Sequence, residues 1–169
     1  MSATAHPTIA MRPFLPADAP LLAEIFRASI DELAADDYSD AQREAWAAAA
    51  DDEAAFGERL AKQLTLVGTM EGSPVGFASL KAPDVIDMLY VHPAAGENGV
   101  ATMLVNALEK LAAARGAAKL TADVSDSAVE FFRKRGFVPQ TRNTRPLGGE
   151  WLANTTMEKR LASAQENPR

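Results

Sequence analysis

Two rhythms of apolar and polar residues divide the chain, one with the period of a strand and one with the period of a helix. Thr8–Phe14 reads as a short first strand, broken by Pro16-Ala17-Asp18. Asp18 is placed to cap a helix running to about Ala35, with Leu21, Leu22, Ile25, Phe26, Ile30 and Leu33 on one face. Ser39-Asp40-Ala41-Gln42 has capping-box spacing and opens a second helix through Trp46. A further short helix is expected after Asp52, burying Phe56 and Leu60.

Leu64–Met70 and Val75–Leu80 flank Glu71-Gly72-Ser73-Pro74, a turn signal that predicts a hairpin. Val85–Val91 is the next strand. From Gly99 to Arg115 the pattern is helical, with Val100, Met103, Leu104, Leu108 and Leu111 as its stripe and Gly116 as its stop. Leu120–Val124 reads as a strand, Asp126–Arg135 as a helix ended by Gly136, and Phe137–Arg145 and Glu150–Lys159 as two last strands. This mixture predicts a mixed α/β (α+β) fold: a mostly antiparallel central sheet, one strand–helix–strand crossover, and helices on both faces. No repeat or composition shift marks a second domain, so one domain over residues 8–161 is expected, with flexible ends at 1–7 and 162–169.

Composition narrows the chemistry. With 47% hydrophobic and 24% charged residues, the 169-residue chain is an ordinary globular one, long enough to bury a real core. The absence of cysteine excludes disulfides, thiolate zinc sites and a cysteine nucleophile. Only two histidines are present, His6 and His92, so no metal site is expected. A net charge of −6 argues against a nucleic-acid surface and is compatible with a cationic substrate such as an amine. No apolar run approaches the ~18 to 20 residues that span a bilayer, and Met1–Ala10 lacks the pattern of a secretory signal. A soluble, cytoplasmic protein is the expectation.

The informative stretch is Asp87-Met88-Leu89-Tyr90-Val91-His92-Pro93-Ala94-Ala95-Gly96-Glu97-Asn98-Gly99-Val100-Ala101-Thr102. A strand runs into a loop of small residues, and the loop runs directly into a helix. Backbone N–H groups there, with the unpaired ones of the first helical turn, form an anion site that needs no basic side chain. Gly96, Gly99 and Ala101 would let a bulky diphosphate approach the main chain. The alternative reading is an ordinary strand–helix connection. A nucleotide P-loop does not match, because the Gly-Lys-Ser/Thr ending is missing.

These residues resemble motif A of the GNAT acetyltransferases, a strand ending Tyr-Val-His-Pro followed by Arg/Gln-x-x-Gly-x-Gly/Ala at the start of a long helix. Ala128-Val129-Glu130-Phe131-Phe132-Arg133-Lys134-Arg135-Gly136-Phe137 resembles motif B. Asp37-Tyr38-Ser39 followed by Trp46, Ile86–Pro93 and Asn154–Lys159 are similar to a bacterial YafP-type branch. The resemblance covers about Met11 to Leu161 and implies the GNAT acyl-CoA N-acyltransferase fold, with acetyl-CoA as co-substrate and an amine as acceptor. It implies that amides from about Glu97 to Thr102, with Gly96, Asn98, Gly99, Val100 and Ala101 among them, hold the pyrophosphate. Leu89, Tyr90 and Val91 would pair with the pantetheine arm, and Phe131 or Phe132 would touch it. Two positions depart from the pattern: Gly96 stands where Arg or Gln is usual, beside a carboxylate at Glu97, and Phe132 replaces the tyrosine often assigned as general acid.

Direct acetyl transfer needs a neutral amine, so a base must take the proton of an ammonium whose pKa is ~10.4. Asp87 is the first candidate, because it alternates with Leu89 and Val91 along its strand; the alternative is a structural ion pair. Asp123 is the second. Tyr90 and Tyr38 are candidate acids, with packing as the alternative for each. His92 has a suitable pKa but belongs to the Val-His-Pro turn. The sequence leaves the acceptor open and is compatible with a monomer or a homodimer. The rival function is a GNAT-fold module that binds CoA or a partner with little or no turnover.

Overall fold

The strands β1 (Ile9–Pro13), β2 (Leu64–Met70), β3 (Ser73–Lys81), β4 (Val85–Val91) and β5 (Lys119–Ser125) lie side by side in sequence order. Beyond β5 come β7 (Glu150–Arg160) and then β6 (Val138–Leu147), which completes a seven-stranded sheet. The structure, a computed structural model, describes residues 7–162. The expected flexible ends lie outside these residues, apart from Pro7 and Ala162.

Every neighbouring pair is antiparallel except β4 with β5, which run parallel. The connection between those two is a strand–helix–strand crossover carried by α4 (Val100–Ala114), and a second one, through residues 126–134, carries the chain from β5 past the place of β7 to β6. The expected class therefore holds. The strands of period two are half-buried, while α4 presents Val100, Leu104, Val105 and Leu108 to the sheet.

Helices cover both faces. On one, α4 packs with Phe132 of α5 (Val129–Lys134) against Ala78, Leu80, Leu120, Ala122 and Met157. On the other, α1 (Ala19–Leu33) and α3 (Glu53–Lys62) pack Leu22, Ile25, Phe26, Phe56 and Leu60 on Val67, Phe77 and Met88. The short α2 (Asp40–Ala47) lies beside α1 on this second face and brings Trp46 against Tyr38.

Local side-chain signals set the starts of α2 and α3 but not that of α1. Ser39 Oγ accepts from the Gln42 N–H at 3.1 Å, and Gln42 Oε1 accepts from the Ser39 N–H at 2.9 Å, the reciprocal pair its spacing predicts. Asp52 caps α3 through the Ala55 N–H. Asp18 instead ends a 3₁₀ turn over Pro16–Asp18 and spends its carboxylate on the Leu15 N–H and the Arg12 guanidinium, not on α1. The stripe is also narrower than expected, since Leu21 and Leu33 are exposed. The helix expected over Asp126–Arg135 divides into a 3₁₀ turn, Asp126–Ala128, and six residues of α5.

Two features position the site. The first is a pair of glycines, Gly68 on β2 opposite Gly76 on β3, which leaves a hollow for Val100 at the start of α4. A Cβ on Gly68 would lie 2.7 Å from Val100 Cγ1. Gly68→Ala is therefore expected to lower stability by about 1–3 kcal/mol through overpacking. Urea unfolding would show it as a lower midpoint at unchanged slope.

The second feature is a bulge in β4. Ser79 pairs with Met88 and Leu80 with Ile86, so Asp87 is an extra residue without a partner on β3. The bulge reverses the alternation on either side of itself, and both Ile86 and Leu89 face α4. Asp87 consequently leaves the face of Leu89 and Val91, where simple alternation places it, and turns towards α3.

Candidate active site

Parallel strands β4 and β5 pair only at Val85–Thr121 and Ile86–Ala122. Beyond that point they part, and the gap widens into a cleft of about 810 Å³. Leu89, Tyr90 and Val91 of β4 form one wall, and Ser125, Ser127, Ala128 and Phe131 the other. At its mouth lie Gly96, Glu97, Asn98 and Ala101, at the start of α4. Eight of the residues expected to hold a cofactor are thus brought together: Leu89, Tyr90, Val91, Gly96, Glu97, Asn98, Ala101 and Phe131.

The other four are placed differently. Gly99 caps α4 by its backbone, in the left-handed conformation at φ 81°, and no side chain caps the helix. The side chain of Val100 is buried on the glycine pair, away from the cleft. Gly99 and Thr102 border a groove of about 740 Å³ on the β1 side of α4. Thr102 Oγ1 accepts a hydrogen bond from Arg135, whose guanidinium lies 3.6 Å from the centre of the Phe131 ring and donates to the Phe131 carbonyl at 2.8 Å. Burial pushes the Arg135 pKa down. Phe132 is core: it packs edge-on against Phe137 and borders only a recess of about 80 Å³ between the strands.

At Gly96 the backbone is ordinary, with φ −58°, so a side chain there is permitted by conformation. Glu97 is exposed. His92 Nδ1 accepts from the Ala94 N–H at 3.1 Å, which ties this side chain into the turn before the loop.

Three of the candidate proton carriers, Asp87, Asp123 and Tyr90, stand on one face of the sheet, opposite α4. Asp87 is held by α3, with Arg59 Nε donating at 2.9 Å and Gln63 Nε2 at 2.8 Å, both to Oδ2. Among the described residues nothing donates to Oδ1. Asp123 has both oxygens engaged, Oδ1 by the Thr156 hydroxyl at 2.6 Å and Oδ2 by Arg145 at 3.1 Å. Both carboxylates border the recess between the strands, as does Tyr90.

Tyr90 packs edge-on against Phe26 and accepts a hydrogen bond from Trp46 Nε1–H at 3.2 Å. Burial pushes the phenol up to about 12, and the Trp46 bond offsets only part of this. Because the indole N–H occupies an oxygen lone pair, the phenolic hydrogen turns away from Trp46. The other candidate acid, Tyr38, is spent on structure. Its hydroxyl donates to the Ala153 carbonyl at 2.6 Å and accepts from the Asp126 N–H at 2.9 Å, and burial raises its pKa as well.

Sequence reasoning missed Arg59, Gln63, Arg145 and Thr156, the residues that hold the two aspartates. Each lies remote in sequence from its partner, and nothing in the local pattern marks it. Among the described residues no cluster of His, Asp or Glu could hold a metal, and no helix is long and apolar enough to cross a membrane.

Comparison with known proteins agrees with this architecture. The family model for an acetyltransferase (GNAT) domain matches residues 34–161. The chain is 34% identical over 149 residues to the uncharacterized N-acetyltransferase YafP of Escherichia coli K12, covering 88% of this chain and 94% of that one. The crystal structure of a GCN5-related N-acetyltransferase from Rhodopseudomonas palustris matches at TM-score 0.90 and 61% identity, over 95% of this chain and all of the other. PaiA N-acetyltransferase from Thermoplasma acidophilum, solved in complex with coenzyme A, shares the fold at TM-score 0.76 and 20% identity, over 90% of this chain and 99% of that one. With a family model spanning most of its length and a relative 34% identical over 88% of it, the chain belongs to the GNAT acetyltransferases.

Proposed function

We propose that this protein carries the acetyl group of acetyl-CoA to the primary amine of a small acceptor, by direct attack in a ternary complex. The observation that carries the reading is the parting of β4 from β5 above Ile86 and Ala122, with the N-terminus of α4, which no side chain caps, at its mouth. The backbone groups of Leu89 to Val91 that face away from β3 have no strand partner and suit an amide-bearing arm, and the first-turn amides of α4 suit a diphosphate. With no cysteine in the chain, an acyl-thioenzyme has no nucleophile.

In this reading Asp87 is the base. Its free Oδ1 takes the proton of the incoming ammonium, directly or through one water, while Arg59 and Gln63 hold Oδ2. Asp123, with both oxygens already bonded, is the less available carboxylate. The leaving thiolate has a parent pKa of ~8.5, well below that of Tyr90, so the phenol keeps its proton and stabilises the departing charge as a hydrogen-bond donor.

Thiol release from acetyl-CoA over a panel of primary amines tests the reading, and absence of release with every amine overturns it. Tyr90→Phe is expected to lower kcat by about tenfold or more and to leave KM for acetyl-CoA unchanged, because the lost donor acts on developing charge. Wild-type kcat should show no basic limb below pH 11, since the phenol stays protonated up to about 12.

Glu97 lies at the mouth of the cleft, where a carboxylate repels a diphosphate. Glu97→Arg is expected to tighten CoA binding by about three- to tenfold at low salt, and less as screening rises. Calorimetry across a salt series reads this directly.

A further inference from the structure

A cavity of about 270 Å³ opens beside the cleft, between α2 and the distal half of the β6–β7 hairpin. Tyr90, Trp46 and Ser125 line both spaces. The hairpin is held in place by Gln42 Nε2, which donates to the Trp151 carbonyl at 2.8 Å. The cavity wall combines the rings of Tyr38, Trp46 and Tyr90, stacked edge to face at 5.5 and 6.3 Å, with Leu147 and Leu152. Among the described residues its only charged side chains are Asp123 and Arg145, and these two pair with each other at 3.1 Å.

We propose that this cavity is the acceptor subsite and that it takes a monoamine with an uncharged, ring-bearing body, on the strength of its aromatic wall and its internally neutralised Asp123–Arg145 pair. The inference rests on the acetyl-transfer reading above. A second ammonium, as in a diamine, requires an unpaired carboxylate, and Asp123 has both oxygens occupied. A carboxylate, as in an amino acid, requires an unpaired cation, and Arg145 is held by Asp123. Size agrees: a cavity of about 150 Å³ accommodates benzene, so 270 Å³ holds one ring with a short alkylamine arm. Seated with the ring against Trp46, the arm leads past Tyr90 towards the gap where β4 and β5 part. There the amine is deprotonated, its nitrogen bonds to the acetyl carbon, and the carbon–sulfur bond breaks to release CoA as thiolate.

The chain has two tryptophans, and Trp151 is 62% exposed on the hairpin, so Trp151→Phe leaves Trp46 as the sole reporter within the cavity. In that background, with CoA bound, phenethylamine is expected to change Trp46 emission with a Kd about tenfold or more below those of cadaverine and γ-aminobutyrate. Turnover with acetyl-CoA should rank the three amines in the same order. Arg145→Ala strips Asp123 of its cation and should shift the cadaverine-to-phenethylamine ratio of kcat/KM towards cadaverine by about tenfold. Binding of phenethylamine without acetylation of any amine overturns the acetyl-transfer reading, and with it the acceptor role of the cavity, and leaves only its preference for a ring-bearing amine. Acetylation that favours cadaverine or γ-aminobutyrate overturns the inference and leaves transfer standing. No emission change with phenethylamine, or an amine ratio unmoved in Arg145→Ala, likewise overturns the inference.

Discussion

Asparagine at position 87 is expected to lower kcat/KM by about 10²- to 10⁴-fold, the range for a lost general base. The substitution keeps the size of the side chain and its place in the bulge, so Gln63 and Arg59 still have an oxygen to bond. It removes the ability of the second oxygen to take a proton. The Arg59–Asp87 ion pair is partly exposed, so its loss costs at most about 1 kcal/mol of stability and leaves a folded enzyme to assay. CoA affinity should stay unchanged. Asp123→Asn is the matched comparison. If it abolishes activity while Asp87→Asn retains it, the base stands on β5. If both remain active, the amine loses its proton to solvent and the carboxylates are structural.

Valine at position 99 is expected to raise the Kd for CoA by about 5- to 150-fold, corresponding to the 1–3 kcal/mol of strain a left-handed residue carries. A Cβ at Gly99 meets nothing closer than Ile9 Cδ1 at 3.8 Å, so the protein has room for the side chain. The obstacle is φ 81°, which a β-branched residue resists, and relief moves the first turn of α4 and its amides. Asparagine tolerates this conformation. Gly99→Asn should therefore bind CoA nearly as the parent does. If both variants bind weakly, the ligand itself approaches position 99 too closely for any side chain. If neither variant changes binding, the start of α4 is not the diphosphate site.

The sequence revealed the fold in proportion to how regular each element is. Fifteen residues of α4 with apolar positions on one face left little ambiguity, and the Ser39–Gln42 capping box marked a helix start by itself. The loop before Gly99 was equally visible, because small residues between a strand and a helix carry their chemistry in the backbone. Asp87 was legible as a candidate and illegible in direction. Nothing in Val-Ile-Asp-Met-Leu-Tyr-Val announces an extra residue; the bulge is set by pairing with β3, and it alone moves the carboxylate to the α3 face. Phe132 shows the same limit, since two adjacent phenylalanines on a short helix do not say which ring the cleft exposes.

The short β4–β5 ladder also bears on how the molecule comes apart. Past Ile86 no backbone bonds cross the middle of the sheet, and its two halves are joined there by side chains and by the helices that straddle them. Tyr38 is a principal rivet: one hydroxyl, carried on the segment between α1 and α2, bonds both the end of β5 at Asp126 and the partner strand at Ala153. The two halves can therefore separate along this seam with the loss of few ladder bonds, while each half keeps its own strand pairs. Amide exchange at Asp126, and at those positions of upper β4 that face β5, is then expected before exchange within the β2–β3 and β5–β7 ladders, as the sheet parts like a book at its spine.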